Sequence, residues 1–177
     1  MKIGILGGSF NPPHQGHIHI SNLAIKKLGL RQLWWIPTAH NPLKNSSTYE
    51  NYQTRCQKCQ TLIQNHHKIY LKKFDEVRTI KLIKKLQNRH KNHQFIWIMG
   101  ADSLIRFHEW NNFKILMNSI SFAIFSRDQF LPKLHQTKSF KIYQKLRKSG
   151  QKLPKFSIFR TKNLDISSTN IRNGKNA

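Results

Sequence analysis

Short apolar runs alternate along this chain with segments of helical periodicity, and that alternation restricts it to very few architectures. Lys2 to Gly7 (KIGILG) reads as a buried strand ending in glycine, after which Ile20, Leu23, Ala24 and Leu28 keep helical spacing until Gly29 supplies a C-cap. Gln32 to Ile36 (QLWWI) is a second strand stopping at Pro37, followed by a polar stretch from Thr38 to Tyr49 and a helix from about Asn51 to Asn65. Lys68 to Lys72 is a third strand, and Ile80, Ile83 and Leu86 mark a helix ending near His90. Gln94 to Met99 (QFIWIM) is the clearest strand of all. Glu109 to Met117 reads as helix, Ile120 to Phe125 as a fifth strand, Phe130 to Leu153 as a basic loop with one helix, and Phe156 to Phe159 as a last short strand. Strands separated by helices predict an α/β fold: a single Rossmann-like doubly wound parallel sheet of five to six strands, with helices on both faces. The pattern predicts one domain over residues 1–177, with ligands at the strand carboxyl ends where the sheet order reverses.

Composition narrows the function classes. A length of 177 residues suits one domain with a real core. No apolar run approaches the roughly 20 residues of a membrane helix, and MKIGILGGSF reaches Gly and Pro too early for a secretory signal, so a cytoplasmic protein is expected. The 31 Lys and Arg stand against seven Asp and Glu, a net charge of +24. So few acids exclude an acid-rich metal cage, while the basic excess favours polyanions such as nucleotides, nucleic acid or anionic lipid. Lys, Ile and Asn contribute 22, 20 and 15 residues, a bias that AT-rich coding produces whatever the function. Cys56 and Cys59 lack a second cysteine pair for a four-thiolate zinc site. With Leu62 and Ile63 they read as the inner stripe of a helix, although His66 and His67 keep a zinc reading open.

Three segments carry candidate chemistry. Gly7-Gly8-Ser9-Phe10-Asn11-Pro12-Pro13-His14-Gln15-Gly16-His17 lies between the first strand and first helix. Its glycines let the backbone turn sharply and approach a ligand, and the following amides can face phosphate oxygens. His14 and His17, three apart, are expected on one helix face at the positive end of the dipole, with Gly16 removing a side chain that would crowd the phosphate. In Met99-Gly100-Ala101-Asp102-Ser103 a strand delivers a glycine and a carboxylate. Asp102 either accepts from ribose hydroxyls or caps the next helix, and Trp110 either offers a stacking face or belongs to the core. In Ile166-Ser167-Ser168-Thr169-Asn170-Ile171-Arg172, hydroxyls, amides and a guanidinium converge on an anion, or simply form a capped terminal helix.

In order and spacing these segments resemble the nucleotidyltransferase superfamily with the (H/T)xGH signature, most closely the bacterial nicotinate-nucleotide adenylyltransferases. GGSFNPPHQGH matches the N-terminal motif, IPTAHNPLK the second-strand segment, GADSL with Trp110 the fourth-strand site, and ISSTNIR the C-terminal signature. The resemblance implies transfer of the adenylyl group of ATP to nicotinate mononucleotide, with Mg²⁺ held by the ATP phosphates and no metal held by protein ligands. It implies backbone contacts from Gly8, Ser9 and Phe10 to the phosphates and nucleotides, and His14 and His17 on the ATP phosphates and transition state. Lys44 would reach a phosphate, Gly100 and Asp102 would bind the adenosine ribose, and Ser168, Thr169 and Arg172 would grip the β- and γ-phosphates. Trp110 would stack on the pyridine ring, with Thr79 and Arg127 on the mononucleotide side. The family's GPSYT-like segment is replaced here by Phe74-Asp75-Glu76-Val77-Arg78-Thr79, in which Thr79 alone matches.

Two other readings compete. Pantetheine-phosphate adenylyltransferase shares the ATP chemistry but usually has Thr at the place of His14. A basic RNA-binding module is the rival from another class, motivated by charge and by Trp34, Trp35 and Tyr70 as stacking residues. The adenylyltransferase reading involves ATP and the mononucleotide, no membrane and no specific nucleic acid, and is compatible with a homo-oligomer.

Overall fold

The computed structural model describes residues 1–39, 49–76, 78–127, 130–161 and 166–174, the side chain of Arg127 excepted. Two compact units emerge: Met1–Val77 with Leu164–Ala177, and Arg78–Asn163. In the first unit, β1 (Lys2–Gly8), α1 (Gln15–Leu28), β2 (Gln32–Pro37), α2 (Tyr52–Ile63) and β3 (Ile69–Leu71) alternate as the periodicity predicts. β1 and β2 are parallel, from Ile3 opposite Gln32 to Gly8 opposite Pro37, and β2 pairs in parallel with β3. Ile3, Ile5, Leu33 and Trp35 are fully buried, which is why these strands read as continuous apolar runs rather than alternating ones. Gly29 closes α1 in the left-handed conformation, φ 61 and ψ 44, with its N–H donating to the Ile25 carbonyl.

The second unit contains α3 (Thr79–Arg89), β4 (Gln94–Gly100), α4 (Ala101–Ile105), a 3-10 turn (Phe107–Glu109), α5 (Phe113–Ser119), β5 (Ser121–Arg127), α6 (Leu131–Gln136), α7 (Lys138–Lys148) and β6 (Phe156–Thr161). β4, β5 and β6 pair in parallel, over a core that includes Leu86, Ile98, Leu104, Phe107, Leu116, Phe122 and Ile124. The last element among the described residues, α8 (Ser168–Arg172), belongs to the first unit. Within the first unit the strand order is β3-β2-β1 and within the second it is β4-β5-β6, every pairing parallel, as the strand–helix alternation predicts.

Two segments differ from the reading of the sequence. The helix expected over Glu109 to Met117 is interrupted, because Trp110 is extended (ψ 139) and Asn112 adopts a left-handed φ of 55, so α5 starts only at Phe113. The basic stretch from Phe130 contains two helices instead of one. Thr137 divides them: its backbone leaves helical geometry and its hydroxyl accepts from the Phe140 amide, capping α7. Among the described residues no helix is long and apolar enough to cross a membrane.

Candidate active site

The chain leaves β1 into a loop whose side chains turn inward. Phe10 is 1% exposed with φ 47, an unusual backbone for a bulky residue, and its ring stacks on Trp35 with centroids 4.9 Å apart. The Asn11–Pro12 peptide is cis, and buried Asn11 accepts the Glu50 amide through Oδ1 at 3.0 Å. Thr38, just past β2, donates through both its amide and its hydroxyl to the Gly8 carbonyl, at 2.9 and 3.2 Å.

The two histidines come together, but not as successive positions on one helix face. His14 precedes α1 as its N-cap, extended at φ −153 and ψ 170, while His17 lies within the first turn. A reciprocal capping box joins them. The Gly16 amide donates to His14 Nδ1 at 3.1 Å, and the His14 amide donates to His17 Nδ1 at 3.1 Å. Since both Nδ1 atoms accept, each ring in its neutral form carries its proton on Nε2, and the two rings lie 3.9 Å apart. His17 is backed by Phe10 at 4.8 Å, and a buried relay anchors its main chain: Trp35 Nε1 donates to Ser21 Oγ at 2.8 Å, which donates to the His17 carbonyl at 2.7 Å. Gly16 has a different purpose from the one expected. A Cβ there would stand 2.8 Å from His14 Nδ1 and 2.9 Å from Cε1, so the missing side chain makes room for the His14 ring rather than directly for phosphate.

The C-terminal segment reaches this loop. Ser167 caps α8, accepting the Asn170 amide at 3.1 Å. Ser168 Oγ donates to the Pro12 carbonyl at 2.9 Å, Arg172 Nη1 donates to the Asn11 carbonyl, and Arg172 Nη2 lies 3.4 Å from Thr169 Oγ1. Ser168, Thr169 and Arg172 are thereby gathered beside the histidine loop, across more than 150 positions of sequence.

Arg55 was missed by sequence reasoning. It is 1% exposed on the inner side of α2, and its guanidinium donates to main-chain carbonyls of Ser9, Thr38 and Ala39, with Nε donating to Glu50. Tyr49 and Tyr52 flank it at 5.4 and 5.5 Å. The available signal was a cation on the same helical stripe as Cys56, Cys59 and Ile63, all buried. Burial also pushes the Cys59 thiol up to about 12, with the neighbouring Cys56 adding to the shift. Among the described residues no group of three or more His, Cys, Asp or Glu is placed to hold a metal ion.

In the second unit, Gly100 is the N-cap of α4 and no side chain caps it. Asp102 therefore does not cap the helix; it is exposed in the first turn. Space beside Gly100 is open, with no atom within 4 Å of a Cβ placed there. Trp110 is half-buried, edge-on to Phe107 at 5.3 Å and to Trp97 at 6.0 Å, so it belongs to the core margin while keeping some exposure. The turn before it is pinned by Arg106, whose Nε and Nη2 donate to Glu109 Oε2 at 2.9 and 2.7 Å; that hydrogen bond holds the Glu109 carboxyl below its ordinary range. Thr79 opens α3 and Arg127 ends β5. Lys44 lies outside the described residues.

Comparison with known proteins follows the same lines. The cytidylyltransferase-like family pattern matches residues 5–174. A protein of Ruegeria sp. (strain TM1040), named probable nicotinate-nucleotide adenylyltransferase, is 36% identical over 131 residues, 72% of this chain and 68% of that protein. One of the same name from Agrobacterium fabrum is 36% identical over 131 residues, 72% of this chain and 70% of that protein. Among solved structures, the Plasmodium falciparum nicotinic acid mononucleotide adenylyltransferase complexed with NaAD is similar in fold, with TM-score 0.75, 22% identity, and coverage of 97% of this chain and 82% of that one. The chain belongs to the nicotinate-nucleotide adenylyltransferases, within the cytidylyltransferase-like family.

Proposed function

We propose that this chain transfers the adenylyl group of ATP to the 5′-phosphate of nicotinate mononucleotide, forming nicotinate adenine dinucleotide and pyrophosphate, a step of NAD biosynthesis. The observation that carries this reading is the His14–His17 pair, with both Nδ1 atoms committed to the main chain, in a chain 36% identical to proteins of that name. An oxygen of the mononucleotide phosphate attacks the α-phosphorus of ATP. The new P–O bond forms as the bond from the α-phosphorus to the bridging oxygen breaks, and pyrophosphate leaves with that electron pair. The attacking phosphate is already ionised at pH 7, its second pKa being about 6, so no general base and no covalent intermediate are required. What remains is alignment and neutralisation of charge on the equatorial oxygens, which donors alone can accomplish.

In this reading His14 and His17 donate from Nε2 to the phosphates, and the Gly8, Ser9 and Phe10 main chain lies along them. Ser168, Thr169 and Arg172 meet the β- and γ-phosphates, and Lys44 a further phosphate. Gly100 and Asp102 take the ribose, while Trp110, Thr79 and Arg127 serve the mononucleotide. The N–H and guanidinium donors of the histidine loop and α8 suit phosphate oxygens, which agrees with Mg²⁺ arriving on the ATP phosphates. Bound with ATP, Mg²⁺ would help neutralise charge on the pyrophosphate as it leaves. We place the enzyme in the cytoplasm, working as one domain over residues 1–177 and needing neither membrane nor nucleic acid.

The decisive assay incubates purified protein with ATP, Mg²⁺ and either nicotinate or nicotinamide mononucleotide, without RNA, and follows dinucleotide and pyrophosphate. Stoichiometric release of both products is expected with the nicotinate form. Turnover with phosphopantetheine and none with either mononucleotide would refute the assignment.

A further inference from the structure

We infer that Arg55 is a positioning residue for the reaction, aiming the Phe10 amide at the phosphate chain from behind. The inference rests on the nucleotide-binding role proposed for residues 8–10. A trans peptide plane holds its C=O and the following N–H in opposite directions. Arg55 Nη1 draws the Ser9 carbonyl inward, so the Phe10 N–H on the same plane is turned outward, away from the guanidinium. The buried Phe10 ring secures the residue at φ 47, a conformation that a bulky side chain does not keep without support from its surroundings.

The two prolines that follow Asn11 cannot supply such a donor. Pro12 and Pro13 carry no N–H, and the carbonyls of Asn11 and Pro12 face Arg172 and Ser168. Donors from this loop therefore come from the amides before Pro12, and the plane that Arg55 holds is among them. Arg55 acts on more than one segment. Nη1 and Nη2 also donate to the Thr38 and Ala39 carbonyls at 3.0 Å each, at the entry to the segment bearing Lys44, and Nε donates to the Glu50 carbonyl at 3.0 Å. A planar fork with five N–H groups can satisfy carbonyls from three directions; the ammonium of lysine, with three donors at one point, cannot. The guanidinium's burial separates it from substrate, so its effect passes through the loop and not through contact.

The test compares Arg55→Lys and Arg55→Ala with wild type in steady-state kinetics, thermal melts and amide hydrogen exchange of residues 8–11 and 38. Arg55→Lys is expected to fold, to lose at least tenfold in kcat at saturating substrates, and to exchange faster than wild type at Thr38, whose amide donates to the Gly8 carbonyl. Millimolar guanidinium should restore part of the Arg55→Ala rate saturably while leaving wild type unchanged. Wild-type kcat with unaltered exchange in Arg55→Lys overturns the inference. So does a loss of rate that merely follows the folded fraction, or failure of both variants to fold, each of which assigns Arg55 to the core alone. Absence of adenylyl transfer by wild type refutes the proposed function instead, and the exchange measurement then still decides whether Arg55 holds the loop.

Discussion

Replacing Gly16 by alanine separates the stability of this fold from its chemistry. The new Cβ would lie 2.8 Å from His14 Nδ1 and 2.9 Å from Cε1, distances that real Cβ atoms do not tolerate, so the imidazole must swing away. That breaks the 3.1 Å bond from the Gly16 amide and with it half of the capping box. Loss of an N-cap interaction costs about 1 kcal/mol, while exchanging glycine for alanine inside a helix returns up to about 1 kcal/mol. The two nearly cancel, and the melting temperature should move by no more than about 4 °C in a chain of this size. Activity has no such compensation. If the displaced ring no longer donates to the transition state, about 3 kcal/mol of stabilisation is lost, on the order of a hundredfold in kcat. Parallel melting curves and steady-state adenylyl transfer would measure both. A Gly16→Ala enzyme with wild-type kcat refutes the assignment of His14 to the phosphates, and a fall of 10 °C or more refutes the cancellation.

Other perturbations test separate parts. His17→Ala should lower kcat by orders of magnitude, by the same donor argument of about 3 kcal/mol, with circular dichroism unchanged; a near wild-type rate removes His17 from the catalytic set. Trp110→Ala should raise KM for the mononucleotide more than for ATP, whereas equal effects or simple destabilisation assign the ring to its packing with Phe107 and Trp97. Cys59 has its thiol raised from 9.0 to about 12 by burial. Because the unfolded thiol ionises first, the unfolded state binds fewer protons between these values, and stability falls as pH rises from about 9 toward 12. Denaturant titrations of wild type and Cys59→Ala across that range should show a shallower decline in the variant, and identical slopes would refute the shift.

The strand–helix alternation was legible in sequence because a parallel strand buried on both faces must be apolar throughout, as Ile3 to Leu6 and Phe95 to Met99 are. Elements governed by local backbone states were less legible. Asn tolerates the left-handed region, so Asn111-Asn112 was the one hint of the break at Asn112 that interrupts the expected helix, and the cap at Thr137 was overlooked within a basic stretch. Of the candidate site, residue types and their order were readable: a glycine turn, two histidines, and a serine–threonine–arginine terminus. Their uses were not. The spacing of His14 and His17 was compatible with two successive helix positions and equally with a capping box, and only the three-dimensional path of the loop selects the latter.

The net charge of +24 favoured anionic partners without selecting one, and the motif order resembled a family of adenylyl transfer, a chemistry whose phosphate nucleophiles require donors and alignment rather than a set of carboxylates. Tertiary structure alone decided which cation became internal. Arg55 is one of 31 basic residues, marked in sequence only by its place on the stripe of Cys56, Cys59 and Ile63, yet it is buried among carbonyls from positions 9, 38, 39 and 50. Sequence records a side chain's charge and period, whereas the carbonyls that stabilise that charge in a dry interior are brought together only by the folded chain.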